Sequence, residues 1–175
     1  MSTKLCGGKF KGRILDVPEG LLTRPTSNKI RQALFNTLGQ NFSGVRFVDV
    51  YAGSGSVGFE ALSRGATEVV FVEKNDLAIQ TIRKNARLLH VESRVSIVNM
   101  DAESYLLKKR EVKETDVTFI DPPFYPEFLD LAHLVPELKG EFVVQYPTHH
   151  AGATWLKYAV KIKKYGVSSL AYFDL

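Results

Sequence analysis

The stretch Val45-Arg46-Phe47-Val48-Asp49-Val50, followed by Tyr51-Ala52-Gly53-Ser54-Gly55-Ser56-Val57-Gly58, decides the fold. The first part is rich in β-branched and aromatic residues and reads as a short buried strand; the second opens a helix through a Gly-x-Gly-x-x-Gly turn. Outward from it the pattern repeats. A helix near 57–64 precedes the strand EVVFVE at 68–73, a helix near 76–89 precedes RVSIV at 94–98, and a helix from Ala102 leads to DVTFI at 116–120. A further helix near 126–135 and the strand EFVVQY at 141–146 follow. Short apolar strands alternating with amphipathic helices indicate right-handed βαβ units and a mostly parallel α/β sheet. The tail, KYAVKIKKYGVSSLAYFDL, reads instead as two strands around Tyr165-Gly166, so the sheet is expected to finish with an antiparallel pair. Upstream, Lys4 to Val17 suits a hairpin, and Thr26 and Ser27 are good caps for a helix over 28–38 that Gly39 can stop.

The chain has 175 residues, 45% of them hydrophobic and 24% charged, an ordinary globular composition that argues against a disordered chain. No apolar run approaches the ~20 residues that span a bilayer, and no signal peptide is evident, so a cytoplasmic protein without a membrane partner is expected. The single cysteine, Cys6, excludes an intramolecular disulfide. Charge is unevenly spread. Residues 1–31 hold seven basic and two acidic residues, whereas the other 144 hold 16 and 17, so the whole excess of +4 lies in the first fifth. A basic arm on a near-neutral body suits either a polyanion held at one end or plain solvation.

The glycine turn has two readings. With Glu73 standing 20 residues beyond Gly53 at the end of the next strand, the spacing matches a dinucleotide-binding fingerprint. Asp49, at the end of the strand before the turn, would repel a pyrophosphate there, whereas the sulfonium and ammonium of S-adenosylmethionine favour a carboxylate. Adenosylmethionine is therefore the better fit, with Glu73 accepting from its ribose hydroxyls. Its own carboxylate would take the amides of the turn. Asp101 follows the next strand and either accepts the adenine amine or caps a helix, while Met100 or Ala102 packs on the ring. The expected cofactor set is Asp49, Ala52, Gly53, Ser54, Gly55, Glu73, Lys74, Met100, Asp101 and Ala102.

After the strand DVTFI comes Asp121-Pro122-Pro123-Phe124. Two prolines fix the backbone and remove two amide donors, leaving Asp121 and a proline carbonyl as uncommitted acceptors. Such a cluster suits an exocyclic amine. Accepting both of its hydrogens at Asp121 and the Pro122 carbonyl pulls the nitrogen toward tetrahedral geometry and frees its lone pair for attack. Phe124 can stack on the base, with Tyr125 closing its edge. Asp121, Pro122 and Phe124 are the expected catalytic residues.

At this point the sequence resembles the RsmD family of small-subunit ribosomal RNA guanine-N2 methyltransferases, nearly end to end. The resemblance rests on Gly8-Lys9-Phe10-Lys11-Gly12-Arg13, Thr23-Arg24-Pro25-Thr26, Arg31-Gln32-Ala33-Leu34-Phe35-Asn36, Asp49 through Ala66, Val72-Glu73-Lys74 and Asp121-Pro122-Pro123-Phe124. It departs at Tyr51, where the family usually has Phe, and at Gln145, where Glu is frequent. The resemblance implies a Rossmann-like, seven-stranded class I methyltransferase domain over 26–175, with a basic RNA-binding hairpin extension over 1–25. It implies adenosylmethionine as donor and 16S ribosomal RNA as acceptor, within the 30S subunit or an assembly intermediate. It also gives the arm a role, with Lys9, Lys11, Arg13, Arg24, Lys29 and Arg31 on RNA phosphates.

Three rivals stay open: an adenine-N6 methyltransferase built on the same turn, an NAD-dependent oxidoreductase, and a non-catalytic RNA-binding module. His149 and His150 are adjacent and lack companions, so no metal site is expected. Lys161 and Lys163 form a weaker candidate RNA patch, and a monomer is expected.

Overall fold

The computed structural model describes residues 2–18, 26–108, 116–124, 134–138 and 140–174. A two-stranded hairpin, β1 (Ser2–Lys4) with β2 (Ile14–Asp16), precedes helix α1 (Asn28–Leu38). Then come β3 (Arg46–Val50), α2 (Ser56–Ser63), β4 (Glu68–Glu73), α3 (Asp76–Leu89), β5 (Val95–Asn99), α4 (Ala102–Lys108), β6 (Asp116–Ile120), β7 (Glu141–Pro147), β8 (Lys161–Tyr165) and β9 (Ser168–Phe173). The helix expected near 126–135 falls largely outside the described residues.

Seven strands form one sheet in the order β5-β4-β3-β6-β7-β9-β8. The pairs from β5 across to β7 are parallel, while β9 runs antiparallel between β7 and β8. The tail hairpin explains that insertion. Gly166, with φ 71°, makes the tight reversal, and β9 carries the apolar Leu170, Ala171 and Tyr172 that both sheet faces need. The outer strand β8 alternates lysines with one exposed Ile162, which discourages edge-to-edge pairing. Strand order reverses at β3, whose neighbours are β4 and β6. The carboxyl ends of β3 and β6 therefore flank the crevice where open α/β sheets bind ligands.

Two apolar layers cover the sheet. One joins Phe47, Phe71, Phe119 and Val143 to Ile30 and Leu34 of α1, Val57 and Phe59 of α2, and Leu5 and Leu15 of the hairpin. The other joins Val48, Val50, Ile120 and Val144 to Leu106 of α4 and to Trp155. Asn75 caps α3 by accepting from the amides of Leu77 and Ala78, and Ser27 caps α1 by accepting from Ile30 N.

The hairpin is docked rather than free. The amides of Lys9 and Phe10 donate to the Ser63 carbonyl and hydroxyl at 2.6 and 2.8 Å, and the Ser63 hydroxyl donates to the Gly7 carbonyl at 2.5 Å. At its other end Asp16 exchanges two backbone bonds with the buried Asn85 side chain, at 2.9 and 3.0 Å. Gly8, at φ 70°, lies so close to the Ser63 carbonyl that any side chain would overlap it.

Arg31 overturns one expectation of the charge count. It is fully buried and cannot reach an RNA phosphate. One terminal nitrogen donates to Thr3 Oγ1 and the Thr26 carbonyl at 3.0 and 2.9 Å, the other to the Lys4 carbonyl and Asn28 Oδ1 at 2.6 Å each. A guanidinium so enclosed ties β1 to the start of α1. Lys9, Lys11, Arg13 and Lys29 are exposed, although Arg13 also donates to the Leu88 carbonyl at 2.9 Å. Arg24 lies outside the described residues.

Candidate active site

A cleft of about 840 Å³ opens over the carboxyl ends of β3, β4, β5 and β6. Its lining includes Ala52, Gly53, Ser54, Glu73 and Lys74, together with Met100 and Ala102. Asp121, Pro122, Pro123 and Phe124 line it as well. Both turns singled out in the sequence thus face one space, because their strands are paired in register, Val50 against Ile120.

The glycine turn is self-braced. Gly55, at φ 76°, takes a left-handed conformation, and a Cβ there would stand 2.8 Å from the Phe59 ring. Glu73 binds the turn from the neighbouring strand: Oε2 accepts Gly53 N at 2.8 Å, and Oε1 accepts Lys74 N and Asn75 N at 2.9 Å each. The amide of Gly55 is likewise used, by the Ala52 carbonyl at 2.8 Å. The turn's amides are therefore less available to a ligand carboxylate than the sequence suggests. Glu73 remains at the cleft wall, and its Oε2, which accepts from Gly53 N, has a second lone pair for a ribose hydroxyl.

Asp49 occupies a place the sequence reading did not assign to it, whereas Asp101 takes the helix-capping role that was one of its two readings. Asp49 is 2% exposed, lies beneath the turn, and is absent from the described cleft wall. Its Oδ2 accepts Gly58 N at 2.9 Å, so it anchors the first turn of α2 instead of meeting a sulfonium. Burial pushes its carboxyl well above the usual range, against that backbone bond, with Asp121 and Glu73 adding repulsion. Asp101 is also set back. Its Oδ1 accepts Ser104 N at 3.2 Å at the start of α4, and Oδ2 lies 3.5 Å from Lys74 Nζ. Its neighbours Met100 and Ala102 line the cleft.

Asp121 meets a partner the sequence reading passed over. Thr26 Oγ1 donates to Asp121 Oδ2 at 2.6 Å. Burial raises the Asp121 carboxyl to about 7, and the Thr26 hydroxyl holds it down against that effect. Thr26 thus fixes Oδ2 of a carboxylate that lines the cleft. Pro122 is buried and rigid behind it, while Phe124 is 40% exposed at the mouth, where a flat base could lie on the ring. Tyr125 lies outside the described residues.

Several wall residues come from distant segments: Val17 and Pro18 from the end of the hairpin, Thr26, Ser27 and Ile30 from the start of α1, Gln145 from β7 and Val167 from the tail. The N-terminal extension thus contributes wall as well as charge. No local motif marks these positions; Thr26, inside the Arg24-Pro25-Thr26 block, is the one the sequence could have pointed to.

A seven-stranded sheet of this order, with β9 antiparallel between β7 and β8 and a glycine turn after β3, defines a class I methyltransferase fold. The chain belongs to the family described as Conserved hypothetical protein 95, whose pattern matches residues 3–174; this is the RsmD family. The putative ribosomal RNA methyltransferase YlbH of Bacillus subtilis is 39% identical over 123 residues, 69% of this chain and 66% of that protein. Ribosomal RNA small subunit methyltransferase D of Escherichia coli is 36% identical over 121 residues, 69% of this chain and 60% of that protein. In both alignments the chain spans under two thirds of the relative's own length. Among solved structures, a putative methyltransferase (yhhF) from Escherichia coli superposes with a TM-score of 0.81 at 25% identity, covering 98% of this chain and 97% of that one. A hypothetical protein from Thermus thermophilus does so with 0.78 at 30% identity, covering 99% of each.

Proposed function

We propose that this chain transfers a methyl group from adenosylmethionine to the exocyclic N2 amine of a guanine in small-subunit ribosomal RNA, as free 16S RNA or within the 30S particle. One observation carries the reading: the Asp-Pro-Pro-Phe turn and the Glu73-braced glycine turn line a single cleft large enough for a nucleoside cofactor and a base. The names of the relatives support ribosomal RNA as acceptor, and the exposed Lys9, Lys11, Arg13 and Lys29 offer phosphate contacts.

The donor set fits adenosylmethionine. Glu73 suits ribose hydroxyls, and Met100 and Ala102 give an apolar surface for the adenine ring, with no fixed cationic clamp for a pyrophosphate on the turn among the described residues. Bound there, the cofactor supplies an electrophilic sulfonium methyl. The protein's part is to present the nucleophile. Asp121 Oδ1 and the Pro122 carbonyl accept the two amine hydrogens and draw the nitrogen lone pair out of conjugation. Phe124 holds the base plane, and the proton, acidic once the nitrogen is alkylated, leaves late to Asp121 or water.

The test uses purified protein, tritiated adenosylmethionine, and small subunits or deproteinised RNA lacking the modification. Label should appear in N2-methylguanosine, and Asp121→Ala should abolish transfer while adenosylmethionine still binds in calorimetry. Label in N6-methyladenosine alone, or turnover that survives Asp121→Ala, would sink the proposal.

A further inference from the structure

Gln145 is a buried polar group whose side-chain oxygen neither the fold nor the proposed chemistry employs. It is 6% exposed, yet it forms part of the cleft wall. Its Oε1 is buried without a hydrogen-bond partner among the described residues. An amide oxygen left unmatched costs stability, so a buried one at a ligand cleft asks for a ligand.

Its position says which ligand atom. β7 pairs with β6 in the register Phe119 to Val143 and Ile120 to Val144. Strand alternation then sends Gln145 to the same sheet face as Val143 and Phe119, the face covered by Ile30 of α1. Asp121 follows Ile120 directly at the end of β6, and Gln145 follows Val144 within β7, so the two residues stand at adjacent positions on neighbouring strands. Both belong to the wall that Thr26 and Ile30 complete. The amine's acceptors, Asp121 and the Pro122 carbonyl, are therefore adjoined by a third acceptor on the next strand.

We infer that Gln145 Oε1 accepts the N1–H of the target guanine, making this residue a determinant of guanine over adenine. This rests on the methyltransferase reading above. On guanine the N2 amine and the N1–H are adjacent donors, so a row of acceptors matches both at once. On adenine the amine is flanked by N1, a lone pair, which would face Oε1 acceptor to acceptor. A site with a buried acceptor awaiting a donor rejects a base that lacks one far more strongly than an apolar pocket does.

The experiment compares wild type, Gln145→Leu and Gln145→Glu on small subunits and deproteinised RNA, with products counted as N2-methylguanosine and N6-methyladenosine. Gln145→Leu should lower kcat/KM for guanine by about ten- to a hundredfold, the range of one base-edge contact. Adenosylhomocysteine affinity should hold, and the variant's melting temperature should match or exceed wild type, because an unmatched buried acceptor is gone. Gln145→Glu, an acceptor at both oxygens, should recover guanine methylation to within tenfold of wild type. Gln145→Leu within threefold of wild type, a lowered melting temperature with loss of cofactor affinity, or Gln145→Glu turning to N6-methyladenosine each overturns the inference. Wild type that methylates no RNA brings down the methyltransferase reading itself, which separates the two failures.

Discussion

Replacing Thr26 by Val should move the pH dependence of methyl transfer upward. Val keeps the β-branched shape, the Thr26 carbonyl that Arg31 holds, and the Ser27 cap of α1; it removes only the hydroxyl 2.6 Å from Asp121 Oδ2. The Asp121 carboxyl titrates at about 7, raised by burial and restrained by that hydroxyl. A hydrogen bond to a charged group is worth about 1.5–3 kcal/mol, and about 1.4 kcal/mol corresponds to one pH unit, so the midpoint should rise by about one to two units. Near pH 7 wild type is about half ionised and the variant between about a tenth and a hundredth, giving a roughly five- to fiftyfold slower single turnover. The deficit should shrink toward pH 9, where both carboxylates ionise. Single-turnover rates with prebound adenosylmethionine and saturating RNA, from pH 5.5 to 9.5, provide the measurement, and Thr26→Ser should restore the wild-type curve. An unmoved or lowered midpoint, or a rate loss equal at every pH, would refute the idea that Thr26 keeps Asp121 ionised and aimed.

Other outcomes follow from the same geometry. Asp121→Asn should stabilise the protein at pH 8 and leave it unchanged near pH 4. The folded-state carboxyl holds its proton up to about 7 against an ordinary 3.8, so ionising it weakens the folded state progressively as pH rises between those values. Because the cleft admits water, we expect roughly 2 kcal/mol, a shift of about 4–8 °C in melting curves; equal melting at pH 8 would contradict the buried charge. Gly58→Ala should lower stability by about 1–3 kcal/mol, since a methyl there would overlap the Phe71 ring and approach Val69 Cγ1 to 2.7 Å. Denaturant midpoints equal to wild type would show that the core gives way freely. Lys9→Gln with Lys11→Gln should reduce the slope of log RNA affinity against log salt by about 1–2 while leaving adenosylmethionine affinity alone; an unchanged slope would make the arm mere surface.

The parallel part of the sheet was legible because its inner strands are nearly continuous apolar runs buried on both faces, the edge strand β5 being only partly covered. EVVFVE and DVTFI match β4 and β6 end to end, and α1 and α3 begin where Ser27 and Asn75 cap them. The terminal hairpin could be read from Tyr165-Gly166 for the same local reason. What alternation cannot reveal is which neighbours a strand acquires. The insertion of β9 between β7 and β8 follows from non-local pairing, and so does the wall formed by Val17, Pro18 and Val167.

Charge and motif mislead in one shared way, and it bears on how the site works. Arg31 was counted with the phosphate-binding residues and Asp49 with the cofactor's because each has the right charge beside the right motif. A count of charges carries no information on burial, and both are sealed from solvent. Their actual partners lie inside the protein: Asp49 holds the first turn of α2 through Gly58, and Arg31 holds the Thr26 carbonyl together with β1. Each therefore acts on the cleft at one remove. Asp49 sets the turn that Glu73 braces, while Arg31 sets the segment whose hydroxyl aims Asp121. The basic arm is thus divided in its work. Lys9, Lys11 and Lys29 face outward, whereas Arg31 faces inward and links the hairpin to the proposed methyl acceptor site. A substitution at Arg31 would accordingly disturb Asp121 without touching RNA, and neutralising Lys9 and Lys11 would weaken RNA binding without disturbing Asp121.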